Sequence, residues 1–228
     1  MLARAMGSAV GDPGRGKMRS RTIGTLAAAV ALVMVPAFAG AQGVQAEGWE
    51  HRLDFGGDVN DVLSFDTMGT GVHVTTEGAG FAIFWQPASM AEGDFTISAS
   101  FTQMEPSPHP NAYGLFLGGD DLAGDGQRYT YFMLRQGGMF LIKQRMGGEL
   151  PTLVDWTAHD AVHDLDDRGS SMNKLTVEAS GDTVRFLVND TEVATQPRSA
   201  VDTDGITGLR VTHLLNMHID DLMLSPSM

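Results

Sequence analysis

Five side chains in one short stretch have the chemistry to hold a polar ring. Tyr129, Tyr131 and Arg135 precede Gln136-Gly137-Gly138, and Lys143 and Arg145 follow it. Alternation on both sides of this three-residue loop predicts a hairpin. It pairs Leu134 with Phe140 and Phe132 with Ile142 on one face, and Tyr131 with Lys143 and Tyr129 with Arg145 on the other. Tyrosine rings stack on the C–H faces of sugars, and lysine or arginine bonds hydroxyls and favours a carboxylated sugar. Trp85 and Tyr113, in nearby extended segments, are candidates for the same surface. The competing role for that face is packing on a second sheet, with the cations reaching out at its rim. His213 holds an apolar position between Val211 and Leu215. It is a hydrogen-bonded core residue unless its strand borders a cleft, in which case it joins the binding surface.

Other constellations are weaker. His159-Asp-Ala-Val-His163 imitates the spacing of a helical zinc motif, but the segment is short and rich in aspartate, so a loop with two exposed imidazoles is the simpler reading. Thr157-x-x-Asp160 has the spacing to cap a short helical turn. Asp202-Thr-Asp-Gly205 and the Asp120, Asp121 and Asp125 loop invite calcium, yet neither completes an EF-hand, because His213 stands twelfth from Asp202. Asn189-Asp-Thr191 fits a glycosylation sequon and reads as a tight turn.

The elements that must position these residues are strands. Asn173 to Thr195 alternates apolar and polar residues and breaks at Gly181-Asp182 and Asn189-Asp190, which predicts a three-stranded antiparallel meander. Its register sets Leu175 against Val188, Val177 against Phe186, Ala179 against Val184, Phe186 against Val193 and Val188 against Thr191, with Glu178 across from Arg185. Further strands are predicted over Trp49 to Phe55, Val62 to Phe65, Val72 to Thr75, Phe81 to Trp85, Asp94 to Phe101, Ala112 to Leu117 and Leu153 to Trp156. A last strand spans Ile206 to Ile219, with a bulge at Asp220-Asp221. Glu105-Pro-Ser-Pro-His-Pro110 is an exposed, stiff loop. About a dozen strands, no long helical period and no internal repeat give an all-β fold, an antiparallel two-sheet β-sandwich.

Residues 1–41 read as an N-terminal extension and signal peptide, and 42–228 as one β-sandwich domain. Arg19 and Arg21 precede an apolar run from Ile23 to Val35 that ends at Ala39-Gly-Ala41, and either Met1 or Met18 is the initiator. The run is short and Ala-rich for a membrane anchor, so export to the periplasm or medium is expected, with no membrane span after cleavage. The chain has no cysteine, so its stability must come from the sheet core. The formal charge of the whole chain is −13. The leader holds five Lys/Arg and one Asp, so its loss leaves ten basic and twenty-seven acidic residues, a net charge near −17. That argues against nucleic acid or an anionic membrane surface as partner.

Asn173-Lys-Leu-Thr-Val, Val184-Arg-Phe-Leu-Val-Asn189-Asp-Thr-Glu-Val193 and Gly205-Ile-Thr-Gly-Leu-Arg-Val211 resemble the C-terminal half of concanavalin A-like (lectin/glucanase, LamG-like) jelly rolls. The similarity is greatest to the 3-keto-disaccharide hydrolase-like domains, and Asp190 stands where their hairpin has glycine. The resemblance implies a jelly roll that binds a glycan or small sugar, with no cofactor unless a structural calcium. The Glu-x-Asp-x-x-Glu strand of laminarinase-type members is missing here, so catalytic residues are not assignable. A glycoside hydrolase and a structural domain of the cell envelope are the alternatives to a carbohydrate-binding domain.

Overall fold

The structure, a computed structural model, describes residues 46–55, 62–78 and 80–226. The leader and its cleavage site lie outside the described residues. Fourteen strands follow in chain order: β1 Glu50–Phe55, β2 Val62–Met68, β3 Gly71–Thr76, β4 Phe81–Ala91, β5 Phe95–Gln103, β6 Ala112–Asp120, β7 Arg128–Arg135, β8 Met139–Met146, β9 Thr152–Ala158, β10 Ser171–Ser180, β11 Thr183–Val188, β12 Thr191–Pro197, β13 Gly205–Thr212 and β14 Asn216–Pro226. They form two seven-stranded antiparallel sheets, β1-β4-β13-β6-β7-β8-β9 and β12-β11-β10-β5-β14-β3-β2.

Alternation explains how the sheets meet. In β5 the residues Phe95, Ile97, Ala99 and Phe101 are buried and those between them half-buried, as a period of two requires of a strand with one face in the core. The first sheet contributes Phe84, Leu115, Phe132 and Phe140 to the same core. Aromatic pairs join the layers: Phe65 of β2 stacks on Phe84 of β4 with ring centroids 4.2 Å apart, and Phe132 of β7 meets Phe186 of β11 edge-on at 5.3 Å. Burying each such side chain contributes about 1.5–3 kcal/mol, which a domain without disulfides needs.

The meander forms with β10 and β11 in the predicted register, and Arg185 bonds Glu178 at 2.6 Å. At Asn189-Asp190 both residues take positive φ, 49° and 62°, as a two-residue hairpin turn demands. Beyond it the register departs from the expectation. Val188 faces Thr191, but Phe186 faces Ala194, because a bulge lets Val193 slip past. The Asn189 amide donates to Ala161 O at 2.8 Å and to Asn173 Oδ1 at 2.9 Å, so this sequon nitrogen is engaged in the fold.

Three other expectations change. Strand β4 runs on through Pro87, since its ladder to β1 stops at the Glu50–Trp85 pair and the ladder to β13 is interrupted between Ile206 and Gly208, where no proline N–H is needed. The predicted strand Ile206 to Ile219 is two strands in different sheets. The chain turns at His213 and Leu214, with Leu214 at φ 53°. Thr76 holds this corner, donating to Thr212 O at 2.7 Å and accepting Leu215 N–H at 3.1 Å. The predicted Thr157–Asp160 cap fails: 159–162 form a turn without a helix, and the Thr157 hydroxyl donates back to Asp155 O. The bulge at Asp220-Asp221 is present, with Asp221 at φ 53°. The proline loop is exposed.

Candidate functional site

The outer face of the first sheet carries a second aromatic layer. Hairpin β7–β8 pairs Tyr129 with Arg145, Tyr131 with Lys143, Phe132 with Ile142 and Leu134 with Phe140, as predicted. Phe132 and Phe140 therefore point between the sheets, while Tyr129 and Tyr131 point outward to join Ile83, Trp85, Phe116, Met133 and Leu141. The opposite parity of the same two strands thus builds both layers.

Beneath this layer lies a charged network. Asp54 of β1 has a side chain with no exposed surface. Its Oδ2 accepts from the Tyr129 hydroxyl and from Arg210 Nη1, and its Oδ1 accepts from Gln127 Nε2. Arg210 Nη1 also donates to the Tyr129 oxygen, and Arg145 Nε stands 4.0 Å from Asp54 Oδ1. Burial alone would raise the Asp54 carboxyl pKa. The Arg210 charge, with the Tyr129 hydrogen bond and Arg145 behind it, overcomes that and holds the carboxyl below its ordinary value. Burial pushes the Tyr129 and Tyr131 phenols up, so both stay neutral. Burial would weaken the Arg210 charge, but the Asp54 carboxylate bonded to it more than restores it. Its guanidinium lies over the Tyr131 ring, 4.5 Å from the centroid.

A groove of about 390 Å³ opens above the network. Tyr131, Lys143, Arg145 and Arg210 line one part of it, Trp156 and Asp155 of edge strand β9 another, and Phe81, Asn111 and His213 a third. Arg135 does not line the groove; its guanidinium stacks on Trp156 at 4.2 Å and braces that ring from the side.

The predicted residues thus divide. Tyr131, Lys143, Arg145 and His213 share the groove wall, and Tyr129 sits under it as a hydrogen-bond donor. His213 reaches the wall because the chain turns there instead of continuing as a core strand; its ring lies 6.3 Å from those of Phe81 and His109. Trp85 is on the expected face but is buried in the aromatic layer and does not line the groove. Tyr113 is corrected. Its parity in β6 turns it between the sheets, where it packs on Phe101 at 5.4 Å and its hydroxyl accepts from Asn173 Nδ2 at 3.1 Å, so it cannot touch a ligand in the groove. Asp54, Gln127, Arg210, Asp155 and Trp156 were not singled out from the sequence. Arg210 leaves a local trace, a cation between Leu209 and Val211 in an apolar strand; Asp54 leaves none, since its partners are more than seventy residues away.

Three of the five aspartates considered for calcium have partners within the protein. Asp202 pairs with Arg128 at 3.3 Å, Asp204 with Arg198 at 3.3 Å, and Asp121 accepts Gly126 N–H at 3.0 Å. Among the described residues no three histidines or carboxylates converge to hold an ion. His159 and His163 lie on no common helix face: His159 Nδ1 accepts Ala161 N–H, and His163 Nδ1 meets Met172 O at 3.1 Å. Among the described residues no helix is long and apolar enough to cross a membrane.

No family model matches the sequence, and no curated protein matches it. Solved structures do match the fold. The carbohydrate binding module CBM66 from Bacillus subtilis superposes with a TM-score of 0.57 at 15% identity, over 81% of this chain and 98% of that one. The exoplasmic/lumenal domain of VIP36, in its Ca2+/Man3GlcNAc-bound form, gives 0.53 at 11% identity, over 79% and 84%. A protein of unknown function with a galectin-like fold from Bacillus subtilis gives 0.50 at 12%, over 78% and 89%. With two antiparallel sheets in this strand order and these structural neighbours, the chain has the concanavalin A-like β-sandwich fold.

Proposed function

We propose that this protein is an exported glycan-binding domain whose binding site is the groove on the outer face of the first sheet. The observation that carries the reading is the convergence of an aromatic surface, Tyr131 and Trp156, with the hydrogen-bonding groups of Lys143, Arg145 and Asn111 around one space of about 390 Å³. That is the size and chemistry of a small-ligand site: apolar faces for stacking, with a few directed polar groups. The fold neighbours that are a carbohydrate binding module and a Man3GlcNAc-bound domain support it. Export rests on the leader pattern in residues 1–41.

Binding is preferred to cleavage because of the carboxylates. Glycoside hydrolysis uses a pair of them across the scissile bond. In the groove wall Asp155 stands without a carboxylate partner, and Asp54 is sealed beneath with its charge taken by Arg210. The reading is tested by retention of the purified protein on an array of immobilised polysaccharides, with Trp156→Ala as the matched variant. Retention that Trp156→Ala weakens at unchanged circular dichroism supports the reading. Failure of the wild type to bind any glycan overturns it.

A further inference from the structure

We propose that the groove selects a sugar bearing a carboxylate, with Lys143 and Arg145 as the residues that receive it; this rests on the glycan-binding reading above. Away from the groove Arg128, Lys174, Arg185 and Arg198 each have a carboxylate within 3.3 Å, as the acid excess of the chain makes easy. Arg52 is met instead by the backbone carbonyls of Leu122 and Gly124, and Arg135 lies over Trp156; in the groove Lys143 has neither kind of partner among the described residues. Arg210 is matched by Asp54, but that one carboxylate is then spent, and Arg145 reaches no closer than 4.0 Å to it. Lys143 has no carboxylate partner among the described residues, although it sits directly opposite Tyr131 in a lined cavity. Arg145 Nε is buried and has no acceptor among the described residues, and His213 Nδ1, also in the groove lining, is buried without a partner among them.

A buried donor without an acceptor is costly and calls for an explanation. Here one anionic group would supply it. A carboxylate over Tyr131 would accept from the ammonium of Lys143 and from Arg145, and it would add negative charge to a lining in which Lys143, Arg145 and Arg210 are set against Asp155 alone, with Asp54 below. Charge-assisted bonds of this kind are stronger than neutral ones, and walls of low dielectric focus the field of the two cations into the groove. A neutral sugar would offer both groups hydroxyl acceptors but leave their charge unmatched.

The test compares each acidic polysaccharide with its own carboxyl-reduced form, which keeps the backbone and removes the charge. Polygalacturonate, alginate and hyaluronate are the probes, alongside a neutral glycan array, with affinity electrophoresis or calorimetry as readout. At least one acidic polymer is expected to bind about tenfold or more tightly than its reduced form, with an affinity that falls as salt rises. Lys143→Gln is expected to erase that difference at unchanged melting temperature, while Arg145→Lys keeps part of it. Equal affinity for acidic and reduced forms, or binding confined to neutral glycans, overturns the charge selection and leaves glycan binding standing. Loss of all glycan binding overturns the glycan reading together with it.

Discussion

Replacing Asp54 with asparagine should cost far more than an ordinary polar substitution, because it strands a cation in the protein. Asparagine has nearly the same shape; its single acceptor oxygen keeps the bond from Tyr129, and its amide can donate to Gln127 Oε1 once the Gln127 amide turns over, so the change is mainly one of charge. The Arg210 side chain is 6% exposed and that of Asp54 not at all. Neither can recover water when its partner goes. Removing one member of a buried ion pair typically costs about 3–5 kcal/mol. For a domain of this size each kcal/mol corresponds to roughly 2–4 °C, so the melting temperature of Asp54→Asn should fall by about 6–20 °C. Urea unfolding followed by tryptophan fluorescence measures the free energy. Arg210→Met should lose a comparable amount, and the double variant Asp54→Asn/Arg210→Met should lose less than the sum of the two by at least about 1.5 kcal/mol. Additive losses, or a loss below 1 kcal/mol in Asp54→Asn, would refute the view that this pair is a sealed and mutually dependent unit.

The same pair sets an acid limit. Because the folded state holds the Asp54 carboxyl below its ordinary value, its contribution is complete above the ordinary value and fades as pH falls through the lowered one; unfolding free energy measured from pH 5 downward should drop in that window for the wild type, and the slope should flatten in Asp54→Asn. Phe132→Ala should destabilise by about 3–5 kcal/mol in chemical denaturation, since that ring meets Phe186 and Phe140 across the core, yet leave glycan affinity of the folded fraction unchanged. Trp156→Ala should weaken glycan retention about tenfold, the loss of one stacking surface, with little effect on stability because β9 is an edge strand. Asp190→Gly trades relief of a positive φ, 62°, against an exposed ion pair with Lys174, and the two effects should cancel to within about 1 kcal/mol in urea titrations.

What could be read in advance follows the range of the interactions. Hairpins are local: two-residue and three-residue turns fix the parity of both arms, so the β10–β11 and β7–β8 registers were legible, and with them the sidedness of Tyr129, Tyr131, Lys143 and Arg145. Parity within one strand cannot say which of two sheets lies on which side, and that is why Tyr113 was assigned outward when β6 in fact turns it into the core. The corner at His213 was hidden for a related reason. Leu209, Val211, Leu215, Met217 and Ile219 all enter one core, and a single alternating pattern describes them although β13 and β14 belong to different sheets. Val193 slipped because a bulge changes the pairing without changing the composition.

The part of the site that no local pattern reveals is its floor, and the floor accounts for the walls. Asp54 arrives on the first strand, Tyr129 on the seventh and Arg210 on the thirteenth, and the sheet order β1-β4-β13-β6-β7 brings them together. Had Asp54 been absent, Arg210 would have needed its own counter-ion, and an anion in the groove would have been a structural fixture. With Asp54 in place the buried cation is answered from below, the Tyr131 ring is held flat against the guanidinium, and Lys143 remains uncommitted at the surface above it. Internal neutralisation of the floor is therefore what leaves the upper cation free to exchange ligands. It follows that Asp54→Asn should change selectivity as well as stability: with Arg210 no longer satisfied, the folded fraction should hold acidic polymers more tightly and release them more slowly than the wild type, whereas Lys143→Gln moves the affinity in the opposite direction.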